Sequence, residues 1–319
     1  MPDRHDPKVT IGIPTYNRAD GYLKQTLNSA LSQTYQNLEI IVADNCSTDN
    51  TENYVNGISD PRIRYFKHKK NIQVNDNFNF CLNQASGDYF LLLHDDDLID
   101  DDFVETCMNS VSHNTDIGII RTGTRIIDGS GNVLSKAFII TEGLSTADFI
   151  LSWFKWKTAF YFCCILYNTK RLKEIGGFGS KTNLFQDVVA GVQLAAKFGR
   201  MDIYDMKASF RKHGSERTFA VKVGEWIEDS LYLLDLICDL IPENKSLLRK
   251  EGLAYFSRFN YNLARKVKSP VQRFIVYLKL IKAFKLVFIR QSLLRSIHGT
   301  SIYPALRAFK ERLLTSDNE

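Results

Sequence analysis

"DYFLLLHDDDLIDDD", residues 88–102, decides how the chain is read. The apolar run at 89–93 has no alternation, as in a strand buried on both faces of a parallel sheet. It runs directly into His94 and three consecutive aspartates, Asp95, Asp96 and Asp97. Adjacent carboxylates repel one another, and burying them unpaired is costly. At a strand end, a divalent cation carrying a phosphate-bearing ligand would meet that need. Hard cations such as Mg2+ or Mn2+ take oxygen ligands and commonly share their shell with substrate phosphates. The plainer alternative is a solvated acidic loop or a set of helix caps. Asp100, Asp101 and Asp102 suit the capping role, since "FVETCM" follows them.

Working outward, "KVTIGIP" (8–14), "LEIIVADN" (38–45) and "RIRYFKH" (62–68) read as strands. Between them, "YLKQTLNSALSQ" (22–33), "NTENYVNGI" (50–58) and "NDNFNFCLNQAS" (75–86) read as helices. Strand and helix alternate over short links, which predicts a doubly wound α/β sheet. Ligands of such sheets bind beyond the carboxyl ends of the strands. Residues 15–18, 44–49, 67–71 and 95–97 all follow strands. They should gather two acidic groups and one basic group around a common crevice.

Further on, "DIGIIRTGTRIID" (116–128) and "FYFCCILYN" (160–168) look like strands, and "GGFG" (176–179) like a flexible link. "LFQDVVAGVQLAAKFG" (184–199) reads as a helix stopped by Gly199. From about Val223 helical patterns dominate, around 226–241, 247–268 and 271–294. Of the 319 residues, 244–313 hold 16 Lys/Arg and two acids, against 25 and 34 elsewhere. The overall charge of +5 therefore hides a basic tail behind an acidic body. The division expected is an α/β domain over 1–220, to which the resemblance given below assigns the catalytic role, and a basic helical region over 221–319.

The apolar fraction of 44% supports a real core. A polar start, "MPDRHDPK", and the lack of a run of roughly 20 apolar residues predict neither a secretory leader nor a membrane span. The six cysteines show no CxxC pair and no zinc spacing, and read as reduced core residues of a cytoplasmic protein. There is no GxGxxG after the first strand and no GxxxxGK[ST], which argues against dinucleotide and P-loop chemistry.

Four blocks in order carry a resemblance. They are "VTIGIPTYNR", "LNSALSQTYQNLEIIVADNCSTDNT", "NQASGDYFLLLHDDDL" and "IGGFGSKTNLFQDVVAGVQLAAKFG". Together they resemble glycosyltransferase family 2, whose catalytic domain has the GT-A fold, over roughly residues 8–215. The fold expected is thus α/β, a GT-A type doubly wound mixed sheet flanked by helices, with a C-terminal helical extension.

The resemblance implies roles residue by residue. Thr15, Tyr16 and Asn17 match the loop that lies against the nucleotide. Asp44 matches the carboxylate that meets a pyrimidine edge, while Asp49 is the more natural turn cap. Asp95 and Asp97 match the ends of the metal-binding DXD, with Asp96 turned toward the donor sugar or ribose. His94 stands where many relatives carry another Asp, so Asp96 and Asp97 are an alternative main pair. Asp187 matches the general base, in a Gln186-Asp187 pair where the family often has Glu-Asp. A helix start there would keep Asp187 ionised. His213 is a candidate further metal ligand, Arg211 a phosphate partner, and Lys70 the cation offered to the nucleotide by the lysines at 67–70.

The activity implied is inverting, Mn2+- or Mg2+-dependent transfer of a sugar from a nucleoside-diphosphate sugar, with UDP leading. The acceptor would be a hydroxyl of a glycan or of a lipid-linked acceptor. The aromatic stretch at 153–162 suits sugar rings, but equally a core or a subunit contact. The basic tail suits the acidic inner face of a cell membrane, or packing on protein within a homo-oligomer. No nucleic-acid motif is present. The rivals are a sugar nucleotidyltransferase, whose Gly- and Arg-rich phosphate loop "PTYNRAD" does not match, and a non-catalytic nucleotide- or glycan-binding subunit.

Overall fold

A computed structural model describes residues 6–213 and 222–284. Nine strands form one mixed sheet in the order β3-β2-β1-β4-β8-β6-β9-β5, with β7 paired to β6. The first half is a parallel, doubly wound unit. It comprises β1 (Val9–Thr15), α1 (Leu23–Leu31), β2 (Leu38–Asp44), α2 (Thr51–Asn56), β3 (Ile63–Lys67), α3 (Val74–Gln84) and β4 (Tyr89–Leu92). β1, β2 and β4 are buried along their whole length. That is the physical reason their sequences show no polar alternation.

β4 ends at Leu92, short of the aspartates. The chain then turns, with the Asp97 amide donating to the His94 carbonyl at 3.2 Å. A two-residue strand follows, β5 (Leu98–Ile99), antiparallel to β9 (Arg200–Arg211). The triplet is thus lifted out of the sheet on a tight loop and held from both sides.

The second half adds α4 (Phe103–Ser110), β6 (Ile119–Ile127), β7 (Val133–Ala137), α5 (Thr146–Phe154), β8 (Ile165–Asn168), α6 (Thr169–Glu174) and α7 (Gln186–Phe198). β8 runs antiparallel to both β4 and β6, which makes the sheet mixed. α5, α6 and β7 were not visible in the sequence pattern. The "GGFG" segment is not a loose link. Gly177 has φ +79°, and a Cβ there would sit 2.4 Å from Asn79 Oδ1. The Phe178 amide donates to Asn79 Oδ1 at 2.8 Å, and its carbonyl accepts from the Asn75 and Asn79 amides. The Phe178 ring is buried against Phe162 and Tyr167.

Three helices follow: α8 (Val223–Leu240), α9 (Lys245–Ala264) and α10 (Pro270–Phe284). α8 and α9 pack onto the sheet unit through aromatic contacts, Phe185 on Trp226 at 5.2 Å and Phe154 on Tyr255 at 5.4 Å. Their inner faces join the main hydrophobic core. Among the described residues, no helix is long and apolar enough to cross a membrane. The sequence segment beyond Phe284, with Lys285 and Arg290, lies outside the described residues.

Candidate active site

The carboxyl ends of β1, β2 and β4 meet at the point where strand order reverses about β1. The β1 loop is built there. Asn17 takes a left-handed conformation, φ 52°, and its amide donates to Ser47 Oγ at 2.8 Å. Its side-chain oxygen accepts from the Thr48 amide. Asp49 accepts from the Ala19 amide and from the Thr51 amide and hydroxyl, so it is the turn cap expected of it. Thr15 donates its hydroxyl to Asp95 Oδ2 at 2.7 Å, and Arg18 Nε lies 3.9 Å from Asp95 Oδ1. Tyr16 is half exposed beside them.

The three aspartates differ in their partners. Asp96 Oδ2 lies 2.9 Å from His213 Nε2. Asp97 is buried and accepts the Arg211 amide at 2.9 Å. Ligand atoms of His94, Asp96 and Asp97 lie within 4.8 Å of one another. Asp95 stands outside that trio, turned toward the β1 loop. Burial first, and the neighbouring Asp96 second, push the Asp95 carboxyl up to about 6. The same causes raise Asp97 well above the usual carboxylate range.

His94 sits between Phe78 and Phe162, at 5.0 and 5.1 Å between ring centroids. Burial lowers its pKa, and its Nε2 is buried with no hydrogen-bond partner. A neutral, unpartnered imidazole beside two crowded carboxylates fits a divalent cation as donor set. Arg211 lines the cavity, but its guanidinium is engaged by the protein rather than left open to a phosphate. Its buried guanidinium donates to the Asp96, Asp128 and Gly129 carbonyls and to Gln25 Oε1. It fixes the aspartate loop instead.

Asp44 is fully buried, accepting from the Ser47 amide at 2.8 Å and the Tyr65 hydroxyl at 2.6 Å. Its neighbour Asn45 faces the cavity described below, and clasps the Ile72 backbone through both amide atoms. Lys70 is exposed on the following loop and is not among the cavity-lining residues.

Asp187 is the second residue of α7. The position before the helix is Phe185, which has no side chain able to cap it. A carboxylate from α8 supplies the missing acceptor. Asp229, fully buried, accepts from the Ser180 hydroxyl (2.6 Å) and from the Thr182, Leu184 and Phe185 amides (3.1, 2.8 and 2.9 Å). The loop that presents Asp187 is therefore held from outside its own helix. Asp187 Oδ1 accepts the Val188 amide at 2.8 Å. The helix start favours its anion, but burial outweighs that, helped by Asp229, and raises it to about 7. Sequence reasoning weighed only the helix start; desolvation is the larger effect.

Asp187 and the aspartate triplet open onto one cavity of about 680 Å³, lined also by Thr15, Tyr16, Arg18, Asn45 and His94. The wall facing Asp187 is aromatic, with Trp153, Trp156, Tyr161, Trp226, Tyr255 and Phe259 among its members. The pattern at 153–162 signalled the first part of that wall. Trp226, Tyr255 and Phe259 were missed, because on amphipathic helices they look like ordinary core positions.

The family model for "Glycosyl transferase family 2" matches residues 10–176, just over half of the chain. An uncharacterized glycosyltransferase of Rickettsia felis is 39% identical over 132 residues, 40% of this chain and 21% of that protein. Chondroitin synthase of Escherichia coli is 33% identical over 41% of this chain and 19% of its own length. The chain thus spans about a fifth of the length of these curated relatives. Among solved structures, S. aureus TarS 1–349 in complex with UDP superposes with TM-score 0.67 at 17% identity, over 94% of this chain and 86% of TarS. The mannosyltransferase PcManGT of Pyrobaculum calidifontis, in complex with GDP-Man and Mn2+, gives 0.53 at 17% identity, over 97% of this chain and 81% of its own. The shared architecture is the GT-A fold.

Proposed function

This chain belongs to glycosyltransferase family 2, and from that premise we propose that it transfers a sugar, with inversion, from a nucleoside-diphosphate sugar to a glycan or lipid-linked hydroxyl. The observation that carries this reading is that Asp187 and the Asp95–Asp97 loop share one cavity. UDP leads as nucleotide, since TarS binds UDP and UDP-GlcNAc; GDP follows from the mannosyltransferase.

In this reading the nucleoside lies against Thr15, Tyr16, Asn17 and Asn45, with Asp44 bracing that loop from below. Arg18 is the cation nearest the diphosphate. Asp96 and Asp97, with His94 and with Asp95 or His213 as further donors, hold Mn2+ or Mg2+. A divalent ion held by these residues would supply positive charge against the diphosphate leaving group. Asp187 accepts the proton of the acceptor hydroxyl as that oxygen attacks the anomeric carbon from the face opposite the diphosphate. The new C–O bond forms as the C–O–phosphate bond breaks, and its electron pair leaves on the nucleotide. One base suffices, and no sugar becomes attached to the enzyme. A base with a pKa near 7 is matched to this task at neutral pH.

The region up to about residue 220 would then be the donor-binding unit and the helices beyond it the acceptor-facing one. α10 carries Val271, Phe274, Ile275 and Leu278, all exposed and all on one face, beside Arg273, Lys279 and Lys282. That stripe suits an acidic membrane surface that carries a lipid-linked acceptor.

The test is proton NMR of turnover with α-linked UDP- and GDP-sugars in the presence of Mn2+. The reading expects a β-configured product, and release that stops with EDTA. An α-configured product, or release indifferent to EDTA, would refute it.

A further inference from the structure

α5 ends at Phe154, and the turn that follows has the two hydrogen bonds of a glycine-type helix stop. The Trp156 amide donates to the Trp153 carbonyl, and the Lys157 amide to the Ser152 carbonyl, both at 2.9 Å. The left-handed position of that stop belongs by preference to glycine. Here it is Trp156, at φ 61°. A side chain with a Cβ is sterically disfavoured there. An observed backbone outlier of this kind points toward function.

The indole gains little packing in exchange. It is 56% exposed, and its ring contact among the described residues is with Tyr255 of α9, 4.8 Å away and tilted by 44°. Both rings line the cavity that holds Asp187. On the same cavity wall one polar group is left unanswered by the fold. Thr158 Oγ1 is buried without a partner. Gln186, adjacent to the base, lines the same cavity.

Resting on the transferase reading above, we propose that the exposed Trp156, backed by the buried Tyr255, is a stacking platform for a pyranose ring of the acceptor, with Thr158 and Gln186 meeting its hydroxyls. Flat aromatic faces with a few placed hydrogen-bonding groups suit a ring that is apolar on its faces and polar at its edge. A polyprenyl chain would satisfy the rings but leave Thr158 Oγ1 unpaired, which is costly in a buried site. The acceptor recognised here is therefore a glycosyl unit, whatever it is attached to. Trp156 sets which sugar is accepted, and the helical C-terminal region completes the subsite through Tyr255.

Saturation-transfer NMR tests this with methyl pyranosides of glucose, galactose, mannose and N-acetylglucosamine, alongside farnesyl phosphate, all with UDP and Mn2+ present. Calorimetric binding of UDP to the wild-type protein is the separate check on the donor reading, so the two failures are distinguishable. The wild type should transfer saturation to the ring protons of at least one pyranoside. Trp156→Gly, which relieves the backbone conformation and should not lower Tm, should bind that pyranoside roughly tenfold or more weakly. Trp156→Tyr should retain most of the affinity. Absence of transfer to every pyranoside would overturn the proposal. So would equal transfer in Trp156→Gly, loss in Trp156→Tyr as complete as in Trp156→Gly, or transfer to farnesyl phosphate alone.

Discussion

A carboxylate that must take up a proton near neutral pH has to be partly dry yet reachable. Asp187 is set up so, raised to about 7 by burial while facing the cavity. Only its anion can act as base. kcat/KM should therefore be level above pH 7 and fall about tenfold per unit below it. A pH profile level down to 5 would exclude Asp187 as the titrating base. Asp187→Asn should lower kcat by about 10²–10⁴-fold while leaving the Kd for the nucleotide within a few-fold. The same variant should change stability in a definite direction. The folded pKa is raised, so the folded state is penalised once pH exceeds the unfolded value near 4, and fully so above 7. Asn removes that penalty. Urea unfolding at pH 8 should show a gain of about 1–2 kcal/mol, kept small by water in the cavity, that vanishes toward pH 4. The aspartate triplet was legible in the sequence, because crowded acids after an apolar run are conspicuous, whereas Asp44 and Asp187 were singled out through the family resemblance. Their partners were not. That Arg211 binds carbonyls, or that Asp44 is covered by Tyr65, depends on residues far away in the chain.

The strand–helix alternation of the first 100 residues could be read from periodicity, because β1, β2 and β4 are uniformly buried and the links are short. β7 was missed because most of its residues are exposed, and α6 because it is a six-residue helix. α7 shows a deeper limit. Its sequence announces a helix, yet the helix lacks an N-cap of its own and borrows Asp229 from α8. Nothing local to residues 180–187 could reveal that. Asp229→Asn would set an amide against a cluster of donors and should destabilise the protein by about 2–3 kcal/mol. If Asp229 positions the base, kcat should also fall at least tenfold at temperatures well below Tm, with nucleotide Kd unchanged. Asp229→Glu should recover part of kcat. Loss of stability with unaltered kcat would make Asp229 a purely structural acid.

The molecule as a whole joins an acidic sheet edge to helices whose aromatic inner faces close the other side of the same cavity. The charge asymmetry of the sequence pointed to two parts with different partners. It did not reveal that the second part reaches into the site, since Trp226 and Tyr255 are indistinguishable in pattern from core residues. α10 turns an apolar stripe outward next to its cations. Sedimentation with vesicles containing phosphatidylglycerol should carry the protein down at low salt, and Phe274→Ser/Leu278→Ser should reduce that fraction severalfold. Equal sedimentation with neutral phosphatidylcholine vesicles would remove the acidic-membrane assignment.

What most directly probes the account is a calorimetric titration of UDP, GDP and dTDP into the wild-type protein, with Mn2+ and again with EDTA, repeated for Asp97→Asn. The account predicts that one nucleotide binds with Mn2+, that EDTA weakens it at least tenfold, and that Asp97→Asn abolishes this difference. Equal affinity with and without the ion in the wild type, or binding of none of the three, would contradict it.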